Sequence, residues 1–374
     1  MTKTILMLFA TAGLVMTESC APTNPTTDIP DLSKETSEVK PVEAEVTEIG
    51  VTPPTVSSSS VWRTCENGDA PPSRLSRSTI PVSFIELDGY KFPEPTPLQA
   101  PAPPPAPDAN TNDLPAIVAG DKVLSNEEFP HMANLIIEMS DGVSLFRSRC
   151  GGSIIDQKWV LTAAHCVDVQ FAQDRLQSTY PGTKLDLHKV SIGVGDVNIA
   201  NQVRYDASNA LCHSSYNLSG DLEDDIALIK LDSPIALNTT TVKVANLPTS
   251  NDFPSGAVAY NTIPIGYGIT EYGTTNEALL EIALTVESSN IFPTTFSANS
   301  MDGYGSICMG DSGGPTHLGL DNKVVGLSSF VRGATPGNCN YLEVNSNFTR
   351  ILPYVGHINS AIATCTSDDA CFNP

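Results

Sequence analysis

The chain has 374 residues, 40% hydrophobic and 17% charged, which is long enough for two domains or for one two-lobed domain with an appendage. A formal net charge of -22 argues against nucleic acid as a partner, because nothing here neutralises phosphates. The acidity otherwise means only solubility and self-repulsion.

The first residues read as an export signal. Lys3 supplies a positive start, and ILMLFATAGLVM (Ile5 to Met16) an apolar core too short to cross a bilayer as a helix. Cleavage falls near Ser19, Cys20 or Ala21, which makes residues 1–20 the signal. Cys20 has two readings, a lipid-attachment cysteine or a cysteine lost with or near the signal, and the preceding TES departs from the usual lipoprotein pattern. No later stretch is long and apolar enough for a membrane-spanning helix. The expectation is a secreted, extracellular protein, held at a membrane only if Cys20 is lipidated.

Residues 21–116 form an acidic, Pro-rich segment that includes PAPPPAP (Pro101 to Pro107) and a serine run at Ser57 to Ser60. Such composition favours extended, solvated backbone and buries no core, so this propeptide or linker is expected to be mostly disordered. One exception, TIPVSFIEL (Thr79 to Leu87), alternates enough to form a strand or dock on a partner.

After Ile117 the prolines thin out and short apolar runs recur. ANLIIEM, GGSII, WVLTAA, KVSIGVG, DIALIKL, NTIPIGYG, LLEIALTVE and VVGLSSFV read as strands separated by Gly, Asn, Asp and Ser turns. Only ILPYVGHINSAIA (Ile351 to Ala363) has helical spacing, with Ile351, Val355, Ile358 and Ala361 on one face. Many short strands and one terminal helix point to an all-β barrel architecture. Nine cysteines in an exported chain imply disulfides and one left over, a role that suits Cys20.

Three islands can carry chemistry: LTAAHC (Leu161 to Cys166), DDIALIKL (Asp224 to Leu231) and CMGDSGGP (Cys308 to Pro315). Serine hydrolysis needs a base for the hydroxyl proton, a carboxylate to hold that base, and backbone N–H donors for the developing oxyanion. Singly, a His after a strand, an Asp in a turn and a glycine-rich loop are ordinary. In the order His, Asp, Ser, with a cysteine flanking the first and preceding the last, they are not.

With CGGSII, WVLTAAHC, DIALIKL, GYG and GDSGGP in this order, residues 117–363 resemble the chymotrypsin–trypsin family of serine endopeptidases. The resemblance implies two six-stranded antiparallel β-barrels with a C-terminal helix, followed by a tail at 364–374. It implies His165 as general base, Asp225 as its orienter and Ser312 as nucleophile, with the N–H groups of Gly310 and Ser312 as the oxyanion hole. Ser329 matches a family serine that supports the buried aspartate, and Asp224 reads as a solvated neighbour. Two disulfides are implied, Cys150–Cys166 and Cys308–Cys339. Cys65, Cys212, Cys365 and Cys371 then allow three pairings. Cys212–Cys365 with Cys65–Cys371, and Cys65–Cys212 with Cys365–Cys371, both tether the prosegment.

The resemblance also places Ser306 at the base of the substrate pocket and Val331 and Ser346 on its walls. Without an acid at Ser306, a preference for Lys or Arg loses its counter-charge. The Val331 side chain narrows the slot towards small or medium apolar residues, as in elastases; a wider, chymotrypsin-like pocket for Phe or Tyr is the alternative. In the family, zymogens switch on when a cut frees an Ile-Val N-terminus. In LPAIVAG (Leu114 to Gly120) that cut falls between Ala116 and Ile117, and the new amine pairs with Asp311. Ala116 suits a narrow apolar pocket, which implies self-activation or an elastase-like activating protease.

The partners implied are protein or peptide substrates. No cofactor is called for and no metal, since few carboxylates follow Asp196 in the loop where some relatives hold calcium. Asn217, Asn238 and Asn347 begin glycosylation sequons. The alternative function is a non-catalytic binding or regulatory homologue on the same fold.

Overall fold

A computed structural model describes residues 61–65, 84–86 and 117–365, except 119, 178, 217–221, 271–275, 302, 304, 320–322, 333–338 and 340–343. The expected export signal, Cys20, Ala116, Cys371 and the Asn217 sequon lie outside the described residues.

The first sheet holds β1 (Trp62–Thr64), β2 (Phe84–Glu86), β4 (Met132–Ser140), β5 (Leu145–Asp156), β6 (Trp159–Thr162), β7 (Asp186–Val194), β8 (Val203–His213) and β9 (Ala227–Leu231). Six of these close into an antiparallel barrel, β7-β4-β5-β6-β9-β8, with β8 returning to β7. Alternation explains its interior: Leu135, Ile137 and Met139 of β4 pack with Ile154, Val160, Val190 and Ile229.

The second sheet contains β3 (Asp121–Lys122), β10 (Ala259–Gly266), β11 (Leu280–Glu281), β12 (Leu284–Glu287), β13 (Thr295–Ala298), β14 (Pro315–Leu318), β15 (Val324–Arg332) and β16 (Asn345–Arg350). A bridge between Thr285 and Asn299 joins β12 to the end of β13 and completes the circuit of six strands. Leu284, Val286, Phe296, Val325 and Phe348 fill this core, Phe296 and Phe348 stacked with centroids 4.9 Å apart.

The two helices differ in how the sequence announces them. Helix α2 (Val355–Thr364) follows a 3-10 turn (Leu352–Tyr354), so it starts four residues later than the spacing predicts; Ile358 and Ala361 of the helix, with Ile351 before the turn, are buried with Trp159, Leu228 and Leu327. Helix α1 (Val169–Leu176) is not anticipated by the sequence reading, which finds one helix. Its signals are nonetheless there: Asp168 caps it by accepting the Phe171 N–H at 3.0 Å, and Val169, Ala172, Gln173 and Leu176 are buried at helical spacing.

Two pieces of the Pro-rich segment belong to the first sheet. Strand β2 pairs in parallel with β5, so the alternation in TIPVSFIEL has its strand. Strand β1, which the sequence reading does not anticipate, pairs antiparallel with β8. The adjoining Cys65 is disulfide-bonded to Cys212. That bond excludes the Cys212–Cys365 pairing and keeps the tether. Trp62 donates its indole N–H to the carbonyl of His357 on α2 at 3.2 Å, and Arg63 pairs with Asp168 at 3.1 Å. A three-residue strand holds here because packing, a covalent bond and an ion pair reinforce it.

One contact between the barrels is absent from the sequence reading. His131, just before β4, and His317 on β14 meet Nε2 to Nε2 at 2.8 Å, and both are buried. His317 Nδ1 lies 3.1 Å from the Ile263 carbonyl, so its N–H faces that oxygen and its Nε2 accepts from His131. Burial pushes His317 down to about 4 despite that carbonyl. Burial and then the neighbouring His317 hold His131 well below its ordinary value.

Candidate active site

His165 sits in the 3-10 turn Ala164–Cys166 that ends β6, and Asp225 in the turn before β9, so the first barrel supplies both. Ser312 comes from the turn before β14 of the second. The barrels meet closely at this point, where the Gly151 amide donates to the Ser312 carbonyl at 2.7 Å.

Asp225 is fully buried and grips His165 twice. One carboxylate oxygen accepts the His165 backbone N–H at 2.9 Å, and the other lies 2.7 Å from Nδ1. The hydroxyl of Ser329 donates to that second oxygen, and the hydroxyl of Thr349 donates to the Asp225 carbonyl at 3.0 Å. Burial raises this carboxyl, but the charge and hydrogen bond of His165, the Ser329 hydroxyl and the His165 amide outweigh it and hold it below the usual range. With Nδ1 committed to a carboxylate, the other nitrogen, Nε2, is the one left to exchange a proton. Asp224 is not the solvated neighbour expected: it is half-buried and accepts the Tyr354 hydroxyl at 2.5 Å, with His213 at 4.0 Å.

His165, Gly310 and Ser312 line one pocket, bordered by the Cys150–Cys166 disulfide. Gly310 has φ 96, a conformation that costs other residues and aims its peptide freely. Neither the Gly310 nor the Ser312 amide donates to an acceptor among the described residues. Cys150, His165 and Cys166 cluster closely enough to suggest a metal site, but the two sulfurs are spent on each other.

The residues expected to form the substrate pocket gather around the segment leading to the Cys308–Cys339 disulfide. Ser306 is buried and donates to the Cys339 carbonyl at 3.4 Å. Ser346 is buried, accepts the Ile307 N–H at 3.2 Å, and is the cross-strand partner of Val331. Ser329, two residues before Val331 on β15, has its hydroxyl on Asp225, the support for the buried aspartate that the resemblance implies.

Asp311 is fully buried, accepting the amides of Gly268 at 2.7 Å and Cys308 at 2.9 Å. The glycines of GYG make room for it: a Cβ on Gly266 would stand 2.0 Å, and one on Gly268 2.5 Å, from carboxylate atoms. No charged group pairs with Asp311 among the described residues, and burial pushes it up to about 7 against its two amide donors. Ile117 is wholly buried in the second core with φ 57, and Val118 bridges to Ser306.

The sequence reading misses Phe171 and Arg175 of α1. The Phe171 ring lies 5.2 Å from His165, and Arg175 lies over Phe171 with Nη2 3.9 Å from the Met309 sulfur. Their i, i+4 spacing is visible in VQFAQDRL once a helix is recognised there.

Comparison with known proteins agrees with this architecture. The trypsin family model matches residues 117–355. Chymotrypsin-like elastase family member 1 of Bos taurus is 29% identical over 279 residues, covering 68% of this chain and 94% of the relative. The Homo sapiens protein of that name is 30% identical over 280 residues, covering 68% and 97%. Among solved structures, HL collagenase superposes with a TM-score of 0.51 at 26% identity, over 66% of this chain and 99% of its own. A scabies mite inactivated protease paralogue shares the fold at 22% identity and a TM-score of 0.50, covering 66% and 97%. The chain belongs to the trypsin family of serine proteases.

Proposed function

We propose that this protein is an exported serine endopeptidase, made as a single-chain zymogen, that cleaves after small or medium apolar residues. The observation that carries the reading is the double grip of Asp225 on His165, which opens with Ser312 and Gly310 onto one pocket. In this mechanism Ser312 Oγ attacks the scissile carbonyl carbon and passes its proton to His165 Nε2. The Gly310 and Ser312 amides receive the oxyanion. Collapse breaks the C–N bond, and Nε2 returns the proton to the leaving amine. Water, deprotonated by the same nitrogen, then hydrolyses the acyl-serine and restores the Ser312 hydroxyl. Val331 beside Ser346, with Ser306 uncharged, favours a narrow neutral slot on the acyl side.

Two features support activation at Ala116–Ile117. Asp311 is a buried carboxylate with no counter-charge among the described residues, which the Ile117 ammonium would supply. A β-branched residue at φ 57 is strained by roughly 1–3 kcal/mol. That torsion is defined by the carbonyl of residue 116, so hydrolysis of the bond releases the constraint. The Cys65–Cys212 bond then retains the prosegment as a linked light chain. Three disulfides suit an exported protein, and among the described residues no helix is long and apolar enough to cross a membrane.

The test follows purified precursor over time, wild type beside Ser312→Ala, by N-terminal sequencing and by gels with and without reductant. Wild type alone is expected to gain an Ile117 N-terminus, to separate into two chains only on reduction, and to hydrolyse peptides after Ala or Val. If both proteins remain intact, self-activation is wrong. A preparation cut at Ile117 by added elastase that still fails to react with a serine-directed phosphonate would sink the protease reading.

A further inference from the structure

Helix α1 lies between His165 and β7, and one face of it overlooks the reacting groups. Its start is fixed by Arg63 on the Asp168 cap and by the Val169 amide, which donates to the Cys65 carbonyl at 3.4 Å. Val169, Ala172 and Leu176 are buried on the inner face. Phe171 and Arg175, one turn apart, therefore project together on another. Phe171 contacts His165, and Arg175 spans from Phe171 to Met309, the residue before Gly310.

The side of the site is set by the chemistry. The acyl half of a substrate runs towards Ser306, Val331 and Ser346, and the leaving amine must lie against His165 to receive its proton. The pocket bearing His165, Ser312, Phe171 and Arg175 contains none of those three acyl-side residues. It is the leaving-group side. Its lining residues include two arginines, Arg149 and Arg175, and no Asp or Glu, in a chain with 42 acidic and 20 basic residues. Arg175 is exposed, and no carboxylate pairs with it among the described residues. The local sign is opposite to that of the whole molecule.

We propose that Arg175, with Arg149 on the same pocket, is a specificity-determining residue that selects peptides carrying Asp or Glu within the first two residues after the scissile bond. This rests on the endopeptidase reading above and adds a preference on the leaving side. An extended peptide advances about 3.3 Å per residue, so those side chains come within reach of a group beside His165. The junction after Ala116 places Ile117 and Val118 at these positions, so Arg175 gives the chain's own cleavage no advantage over acidic substrates.

The test measures kcat/KM of the cut enzyme on peptides with Ala before the scissile bond and Glu, Gln or Lys at either following position. Each peptide carries a compensating charge far on the acyl side, so that all have equal net charge and the overall field of the protein cancels. Glu is expected to exceed Lys by roughly threefold to tenfold, the attraction of an exposed ion pair for Glu added to a similar repulsion of Lys, and the ratio to approach one as salt rises from ~0.05 to ~0.5 M. Arg175→Gln is expected to level the ratio and Arg175→Glu to invert it, which a role in folding alone would not do. Cleavage with a ratio near one in wild type, or a ratio unmoved by Arg175→Glu, overturns the inference while leaving the protease intact. Failure to cleave any peptide overturns both.

Discussion

Asp225 and Asp311 are both wholly buried, one serving each barrel's half of the site, and their surroundings drive them in opposite directions. Burial raises both. Asp225 has an imidazole, a hydroxyl and an amide within hydrogen-bonding distance, which together hold it ionised. Asp311 has two amides and, among the described residues, no cation, and burial pushes it up to about 7. Two dipoles do not replace the water that a carboxylate gives up, whereas a matched set with a titratable partner does. In the proposed mechanism the first carboxylate is ready in the uncut chain and the second waits for a charge that cutting delivers.

The sharpest way to break the comparison is Asp225→Asn. The amide turns a donor or a weaker acceptor towards Nδ1, so His165 loses the tautomer that presents a basic Nε2. Turnover of the cut enzyme is expected to fall about 10⁴-fold, the size seen when this change is made in the chymotrypsin triad. A fall below tenfold would mean that Asp225 is only structural.

Asp311→Asn comes next. In the proposed activation the Ile117 ammonium then has no partner, and the expected disorder of the oxyanion hole costs roughly 10²–10³-fold in kcat. The uncut chain tests the same residue without catalysis. The folded pKa of Asp311 is raised, so its contribution to stability is full below its ordinary value near 3.8 and is lost as pH rises through about 7. At about 1.4 kcal/mol per unit, the loss is of the order of 4 kcal/mol. Chemical denaturation compares the Ser312→Ala precursor with the same protein carrying Asp311→Asn, because His131 and His317, held low by burial, add stability as pH rises over the same window and offset the total slope. The difference between the two proteins is expected to change by this amount between pH 4 and 7, though the Asn leaves one amide poorly paired at every pH. In the proposed activation, cutting removes this pH-dependent difference too, since the new ammonium then faces the carboxylate. A difference that is flat across the window would mean that Asp311 does not titrate there.

Much of this arrangement is legible in the sequence because short local strings encode it. LTAAHC, DIALIKL and GDSGGP each carry a residue and the turn that aims it, and strand alternation gives the barrels that bring the strings together. What escapes is set by distant partners. WRTC becomes a strand only because Cys212 and α2 receive it. His131 and His317 are 186 residues apart and neither looks unusual alone. The side chain of Asp224 turns to Tyr354, which no spacing announces. Helix α1 is the intermediate case, with its cap and spacing present but shortened to two turns.

The smallest expected effect separates support of Asp225 from packing around it. Ser329→Ala removes one donor from the carboxylate and leaves both contacts to His165, so the imidazole stays in place while the carboxyl moves up towards its ordinary range. Hydrogen bonds to charged groups contribute about 1.5–3 kcal/mol, and the retained contacts absorb part of that. The expected losses are roughly threefold to tenfold in kcat and about 1–2 kcal/mol of stability at neutral pH. The direction with pH is opposite to that of Asp311. A depressed carboxyl contributes stability that is present above its unfolded value and is lost as pH falls through its folded one. The gap between wild type and Ser329→Ala should therefore be widest near neutrality and close in acid, where both proteins hold a neutral Asp225. Urea midpoints followed from ~pH 7 down to the lowest pH at which the chain stays folded read this directly. A gap that stays the same throughout would make Ser329 a space-filling residue, and the low pKa of Asp225 would then be the work of His165 alone.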